Sequence, residues 1–337
     1  MTKRRFITIK DIAQQSGLSV ITVSRALSGT GYVRKETKEK ILQIAEELGY
    51  TKNSAASSLR TRMTKILGVV VVDNSNPFYA EVVKGIEIEA RRNGYSIILV
   101  NTDRNYENEV NAINTLLQRR VDGLIITAVQ QKTDDIAELV KRHIPNVILG
   151  SRLEGIKTNY IYSDDEDGGY KAATHLIDLG KRNILLFNGM KYKYAARMRE
   201  KGVKKAVAKV KAKTDVSLHV YRTIEGFENA YQSFKSTFSN LSIQGIDIDA
   251  IICYNDIYAY AVIKYLNELG VRIPDEIAIV GFDDLPFSSI LNPPLTTISV
   301  DKMRLGMEAF KALIKSIEDG TLADIVLPVE LVRRKTT

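Results

Sequence analysis

A single cysteine in 337 residues rules out an internal disulfide. Cys253 sits in the apolar run AIICY, where a buried, inert thiol in a reducing compartment is the expected state. The three histidines, at 143, 175 and 219, are scattered without the spacing of a metal site. No apolar run reaches the roughly 18 residues of a membrane span. The N-terminus, MTKRRFITIKDIAQQSG, starts basic but has neither an apolar h-region nor a cleavage site. A cytoplasmic protein without membrane attachment is therefore expected. There is no GxxxxGK[ST] loop and no GxGxxG between a strand and a helix. The DGGY of Asp167 to Tyr170 reads as a helix start, too short for a dinucleotide loop. No base–nucleophile pair can be named. The expectation is no cofactor, no metal and no enzyme.

What the chain does have is an uneven charge. It holds 48 basic and 40 acidic residues, a net +8. Between Met1 and Lys65 there are 13 basic and 5 acidic residues, so this head carries the whole surplus. Residues 66 to 337 hold 35 of each sign. A basic head on a neutral body suggests a polyanion-binding module joined to a sensing unit.

The head is patterned, which argues against a disordered basic arm. TIKDIAQQS reads as a helix, with Thr8 as N-cap and Asp11 three positions on. Ile9, Ile12 and Ala13 share one face. Gly17 stops this helix and Ser19 caps a second, VITVSRAL, with Val23, Ala26 and Leu27 inward. A third helix follows from about Lys35 to Leu48, its apolar face Ile41, Ile44, Ala45 and Leu48, and Gly49 ends it. Two short helices joined by a tight Gly-containing turn make a helix-turn-helix. Its second helix is expected in the major groove of double-stranded DNA, with Val20, Ile21 and Arg25 at base edges. Arg25 can make two hydrogen bonds to guanine, a contact worth roughly 1–3 kcal/mol of discrimination. Ser19, Thr22, Ser24 and Tyr32 suit phosphate contacts, which set register, and Thr8 is expected at the DNA as well. Residues 51 to 65, TKNSAASSLRTRMTK, are small, polar and basic. They suit a flexible linker or one short helix capped by Asn53 or Ser54, marginal on its own in water.

From Lys65 onward, short apolar runs alternate with helical stretches. The runs are 66–72, 95–100, 122–127, 145–150, 160–164, 183–189, 249–256 and 277–284. Continuous apolar runs suit parallel strands buried on both faces, hence an α/β fold. The series occurs twice, the second set starting near Ile161. Ligands in such sheets bind beyond the C-terminal ends of the strands. Those places hold Asp73, Asn74, Ser75, Phe78, Tyr79, Asn101, Asp103, Thr127, Ser151, Arg152, Asp164, Asn188, Asn255 and Asp256. Polar groups with aromatic plates suit a small hydroxylated molecule. The loop MKYKYAARMREKG is lysine-rich, which fits either an anionic effector or, more simply, a solvated loop. Asp283 and Asp284 in VGFDDLPFSSILNPPLTTI resemble paired acids, but no Ser-His-Asp or Cys-His set accompanies them.

The run TIKDIAQQSGLSVITVSRALSGTGYVRKETKEKILQIAEELGY resembles the DNA-binding headpiece of the lac repressor–galactose repressor (LacI/GalR) family of bacterial transcription regulators. The likeness continues to VLPVELVRRKTT, across essentially the whole chain. It implies a helix-turn-helix domain in 1–50 and a hinge in 51–65. Beyond them it implies a two-lobed body with a periplasmic-binding-protein-like fold. Lobe 1 would be 66–162 and 293–322, lobe 2 would be 163–292 and 323–337. The hinge helices of two subunits would enter the minor groove, with Leu59 as the kinking wedge, Ala56 close to the groove floor, and Asn53 and Arg60 near phosphates. Lys52 and Ser57 depart from the residues common there. The resemblance places Phe78, Tyr79, Arg199 and Asp256 at the effector. The whole expected effector set is Asn74, Phe78, Tyr79, Asn101, Thr127, Ser151, Arg152, Asn188, Arg199 and Asp256.

The implied function is a repressor that binds a palindromic operator as a homodimer, controlled by a small molecule, most simply a carbohydrate. A protein corepressor on lobe 1 also occurs in this family, and nothing in these residues argues for it. The ending VRRKTT lacks a leucine heptad, so a dimer is expected rather than a tetramer. The competing reading is the solute-binding protein of a sugar transporter. It would need a signal peptide and no basic head, the reverse of this chain.

Overall fold

The computed structural model describes residues 7–29, 31–50, 63–210 and 214–337. The chain divides into two compact units, Met1–Thr64 and Lys65–Thr337. The hinge expectations for Asn53, Ala56, Leu59 and Arg60 lie outside the described residues.

The first unit holds three helices, α1 (Ile9–Ser16), α2 (Val20–Ser28) and α3 (Lys35–Glu47). At the start of α1, Asp11 Oδ2 accepts from both the N–H and the hydroxyl of Thr8, at 2.8 and 2.7 Å. Gly17 ends the helix at φ 71°, a left-handed turn that suits glycine. Ser19 Oγ caps α2 by accepting from the Thr22 N–H at 3.1 Å. Ile12, Val23 and Ile41, one from each helix, are fully buried in a shared core. Because that core takes the inward positions, the outer face of α2 is left to solvent.

The second unit contains two six-stranded sheets with the same winding. The first is ordered β11-β5-β4-β3-β1-β2 and the second β12-β10-β9-β8-β6-β7. The first comprises β1 (Ile66–Val71), β2 (Ser96–Asn101), β3 (Gly123–Ile126), β4 (Asn146–Leu149), β5 (Asn159–Ser163) and β11 (Asp324–Leu327). The second comprises β6 (Asn183–Asn188), β7 (Ser217–Arg222), β8 (Ala250–Cys253), β9 (Ala278–Asp283), β10 (Thr296–Val300) and β12 (Val329–Val332). All pairings are parallel except β10 with β12. The inner strands β3, β4, β8 and β9 are buried along their length, as expected of strands covered on both faces.

These pairings correct the expected boundaries. β5 belongs to the first sheet, so the second series starts at β6, not near Ile161. β10, assigned from the sequence to lobe 1, pairs with β9 in lobe 2. β11, assigned to lobe 2, pairs with β5 in lobe 1. The chain therefore passes between the lobes after β5, after β10 and between β11 and β12. Lys302 pins the second passage. Its buried ammonium donates to the carbonyls of Asp283, Asp284 and Val300 at 2.6, 3.0 and 3.3 Å.

Each lobe carries one tight helix crossing that depends on glycine. In lobe 1, helix Pro77–Arg92 packs on Lys302–Asp319 where Gly85 meets the Met303 carbonyl and Gly306 meets the Val82 carbonyl. In lobe 2, helix Asp165–Asp178 packs on Tyr194–Val210 through Gly169 against Arg199 O and Gly202 against Glu166 O. A Cβ at any of the four would overlap backbone oxygen, so only glycine lets the axes approach this closely.

Candidate functional site

The outer face of α2 is the first candidate surface. Val20 is 45% exposed and Ile21 64%. Two neighbouring branched side chains are thus held in water by a capped helix, although burying each would be favourable. Arg25, one turn further on, is exposed as well. Ser19 and Thr8 are exposed, and Tyr32 is 89% exposed, while Thr22 and Ser24 are half-buried. The Thr22 hydroxyl pairs with Ser19 Oγ at 2.9 Å, so the two present a joined polar edge.

The second candidate is the cleft between the lobes, at the C-terminal ends of both sheets. The cavity there is small, about 70 Å³. From lobe 1 it is lined by Phe78 and Tyr79, which open the helix after β1, by Thr127 and Gln130 after β3, and by Ser163 at the end of β5. Asn76 caps that helix, accepting from the Phe78 N–H at 3.0 Å, and so fixes both rings at the cleft. From lobe 2 come Lys193, Arg199, Glu225, Tyr254, Asn255 and Asp283.

Arg199 is the centre of the buried electrostatics. Its Nε donates to Asp165 at 2.8 Å, one terminal nitrogen donates to the Tyr254 carbonyl, and the other lies 3.8 Å from Asp283. The guanidinium sits 3.5 Å from the centroid of the Phe282 ring and 4.8 Å from that of Tyr254. Burial works against its charge, and Asp165 and Asp283 outweigh that penalty. Burial pushes the Asp283 carboxyl up to about 8; Arg199 opposes the rise and Asp256 adds to it. Asp283 also holds a φ of 107°, a backbone shape rare for a residue with a side chain and common at sites where position matters more than stability.

Of the expected effector residues, Phe78, Tyr79, Thr127 and Arg199 meet at this cleft. The other six do not line it, each for a visible reason. Asn74 and Asn101 are tied to each other, Asn101 Oδ1 accepting from the Asn74 N–H at 3.0 Å. Asn188 is fully buried and donates to the Ala196 carbonyl at 3.0 Å. Arg152 turns to Asp324 on the edge strand β11, 3.0 Å away. Ser151 is buried behind Gly150, which takes its place on the wall. Asp256 is completely buried and both its oxygens are used. They accept from the Leu285 N–H at 2.8 Å and from Ser288 Oγ and Thr297 Oγ1, both at 2.6 Å. Asp256 thus braces the loop under Asp283, and Asp283 is the acid that reaches the cleft.

Asn255 stood among the strand-end residues, and Ser163 and Asp283 obey the same rule, so a stricter use of it would have found them. Lys193 and Glu225 gave no such signal. Glu225 follows β7, a half-exposed edge strand whose mixed sequence SLHVYR hides it among loops. Lys193 sits in the lysine-rich loop, but it is buried rather than solvated. Among the described residues no group of three or more metal-ligating side chains is gathered, and no helix is long and apolar enough to cross a membrane.

Known proteins share this architecture. Residues 64–335 match the family described as periplasmic binding proteins and sugar binding domain of LacI family. Residues 8–53 match bacterial regulatory proteins, lacI family. The HTH-type transcriptional repressor PurR of Vibrio atlanticus (strain LGP32) is 33% identical over 338 residues, covering 98% of each chain. The lac repressor dimer bound to operator and the anti-inducer ONPF superposes with a TM-score of 0.87 at 27% identity, over 98% of this chain and 99% of that one. The transcriptional regulator CelR in complex with cellobiose superposes at 0.74 with 25% identity, over 98% and 100%. With an exposed recognition helix in one unit, a two-lobed cleft in the other and matches across both, the chain belongs to the LacI family of bacterial regulatory proteins.

Proposed function

We propose that this protein represses transcription by binding a palindromic operator as a homodimer, and that a small solute in the cleft sets how firmly it grips DNA. The observation that carries the reading is the face of α2, where Val20, Ile21 and Arg25 are held out from a well-capped helix in a chain whose other unit is a ligand cleft. Arg25 reads guanine, Val20 and Ile21 contact thymine methyls, and Ser19, Thr22 and Tyr32 hold phosphates. In the cleft, a hydroxylated ring stacks on Phe78 or Tyr79 and exchanges hydrogen bonds with Thr127, Asn255 and Asp283. A carbohydrate fits that lining, and the similarity to a regulator complexed with cellobiose supports it. The solute acts through its different affinity for open and closed lobes.

Selection of duplexes from a random pool, followed by gel shift, tests the DNA half. A palindromic consensus is expected, with Arg25→Ala relaxing preference at one position of each half-site. Failure to bind any duplex at low salt would end the proposal. A thermal-shift screen of sugars, sugar phosphates and nucleobases tests the solute half, with an uncharged sugar expected to give the largest shift.

A further inference from the structure

A line of alternating charge crosses the cleft. On lobe 1, Arg104 follows β2 and holds Asp73 with one terminal nitrogen at 2.6 Å. Its Nε reaches over to lobe 2 and donates to Glu225 at 2.9 Å. The second oxygen of Glu225 lies 3.3 Å from Lys193 Nζ. The Lys193 and Glu225 side chains are only 8% and 12% exposed. Arg104 makes this reach with a φ of 59°, a left-handed backbone that costs energy in a residue with a side chain. A second link runs alongside, the Tyr194 N–H donating to Gln130 Oε1 at 2.7 Å.

The charges in this line cancel, two acids against two bases. Arg199 is likewise matched by Asp165, 2.8 Å away. Both cations lining the cleft, Lys193 and Arg199, therefore already face a carboxylate. A solute bringing its own anion must compete with Glu225 for Lys193 and leave Glu225 to Arg104 alone, which Asp73 already shares. Breaking one arm of a buried ion pair costs free energy that the competing anion has to make good. An uncharged solute meets no such obstacle.

We propose that Glu225 is a built-in counter-anion, drawing the lobes together through Arg104 and barring phosphorylated or carboxylated solutes from Lys193. This rests on reading the cleft as the effector site. In the full-length protein, inorganic phosphate titrated at constant ionic strength should bind Glu225→Gln at least tenfold more tightly than wild type by calorimetry. Glu225→Asp should behave as wild type. Equal phosphate affinity in wild type and Glu225→Gln, including no binding by either, overturns the proposal. Closure is read separately, by electron–electron distance between spin labels at Lys141→Cys and Lys235→Cys, both exposed positions on opposite lobes. Arg104→Met should lengthen and broaden that distance. An unchanged distribution overturns the closing role, and this arm stands even where Glu225→Gln fails to fold. Neither readout uses DNA, so a chain that ignores operator sinks the regulatory reading without disturbing these results.

Discussion

Arg25 in the head and Arg199 in the cleft are the same side chain in opposite circumstances. Arg25 stands in water on the outside of α2. Arg199 is buried among the side chains of Asp165 and Asp283, a carbonyl and two aromatic rings. The first waits for a partner outside the molecule; the second has been supplied with partners by its own chain. A surface that must meet DNA keeps its donors free and is paid for by a small core behind it. A cleft that, on the proposed reading, opens and closes around a neutral solute keeps its charges balanced, because an unmatched one would be costly in either state.

The sharpest way to break this contrast is through the glycines. Gly202→Val or Gly306→Val should destabilise the body by about 3 kcal/mol or more, since the added carbons meet backbone oxygen. Urea unfolding followed by probes in each unit should show the body transition moving and the head transition unmoved. A head that unfolds in step would mean that the two units are not independent.

Next in size is Arg25→Ala. It should cost roughly 1–3 kcal/mol of discrimination between operator and a variant operator, measured by competition gel shift. Thermal stability and solute binding should be unaltered. Loss of stability instead would mean that Arg25 is committed within the head as Arg199 is in the cleft.

The cleft side predicts a slope with pH. Burial raises the carboxyls of Asp283 to about 8 and Asp256 to about 6, and raises Glu109 as well. Folded, these groups hold protons that the unfolded chain has already lost above about pH 5. The folded state binds more protons, so stability falls as pH rises from about 5 to about 8. Asp283→Asn should flatten the upper part of that slope in thermal melts. A slope of the opposite sign would show that these acids are ionised in the fold.

The smallest effect belongs to the cap. Ser19→Ala should cost about 1 kcal/mol of head stability by removing the acceptor for the Thr22 N–H. Gly at the same position should restore part of it.

How far each region could be read from the chain follows from the same contrast. The helices of the head were legible to within about a residue. Thr8, Gly17, Ser19 and Gly49 mark its helix ends, and these signals act over a few positions. The strands of the body were legible where they are buried on both faces. β7 was not, because an edge strand facing water loses the apolar run that identifies it. With β7 went Glu225 and the line it completes. Asp256 misled for a related reason: a strand-end acid looks the same whether it faces solute or braces the loop beneath, and only the positions of Ser288 and Thr297, more than thirty residues away, decide it. The assignment of β10 and β11 failed because the passages between lobes are set by pairing partners distant in sequence.

The three passages of the chain between the lobes have a mechanical consequence. One strap would let the halves swivel, and two would let them twist about the line joining them. Three side by side behave like the spine of a book, leaving a single soft motion in which the covers part or meet. Whatever settles between the pages can then be reported elsewhere in the molecule through one angle alone.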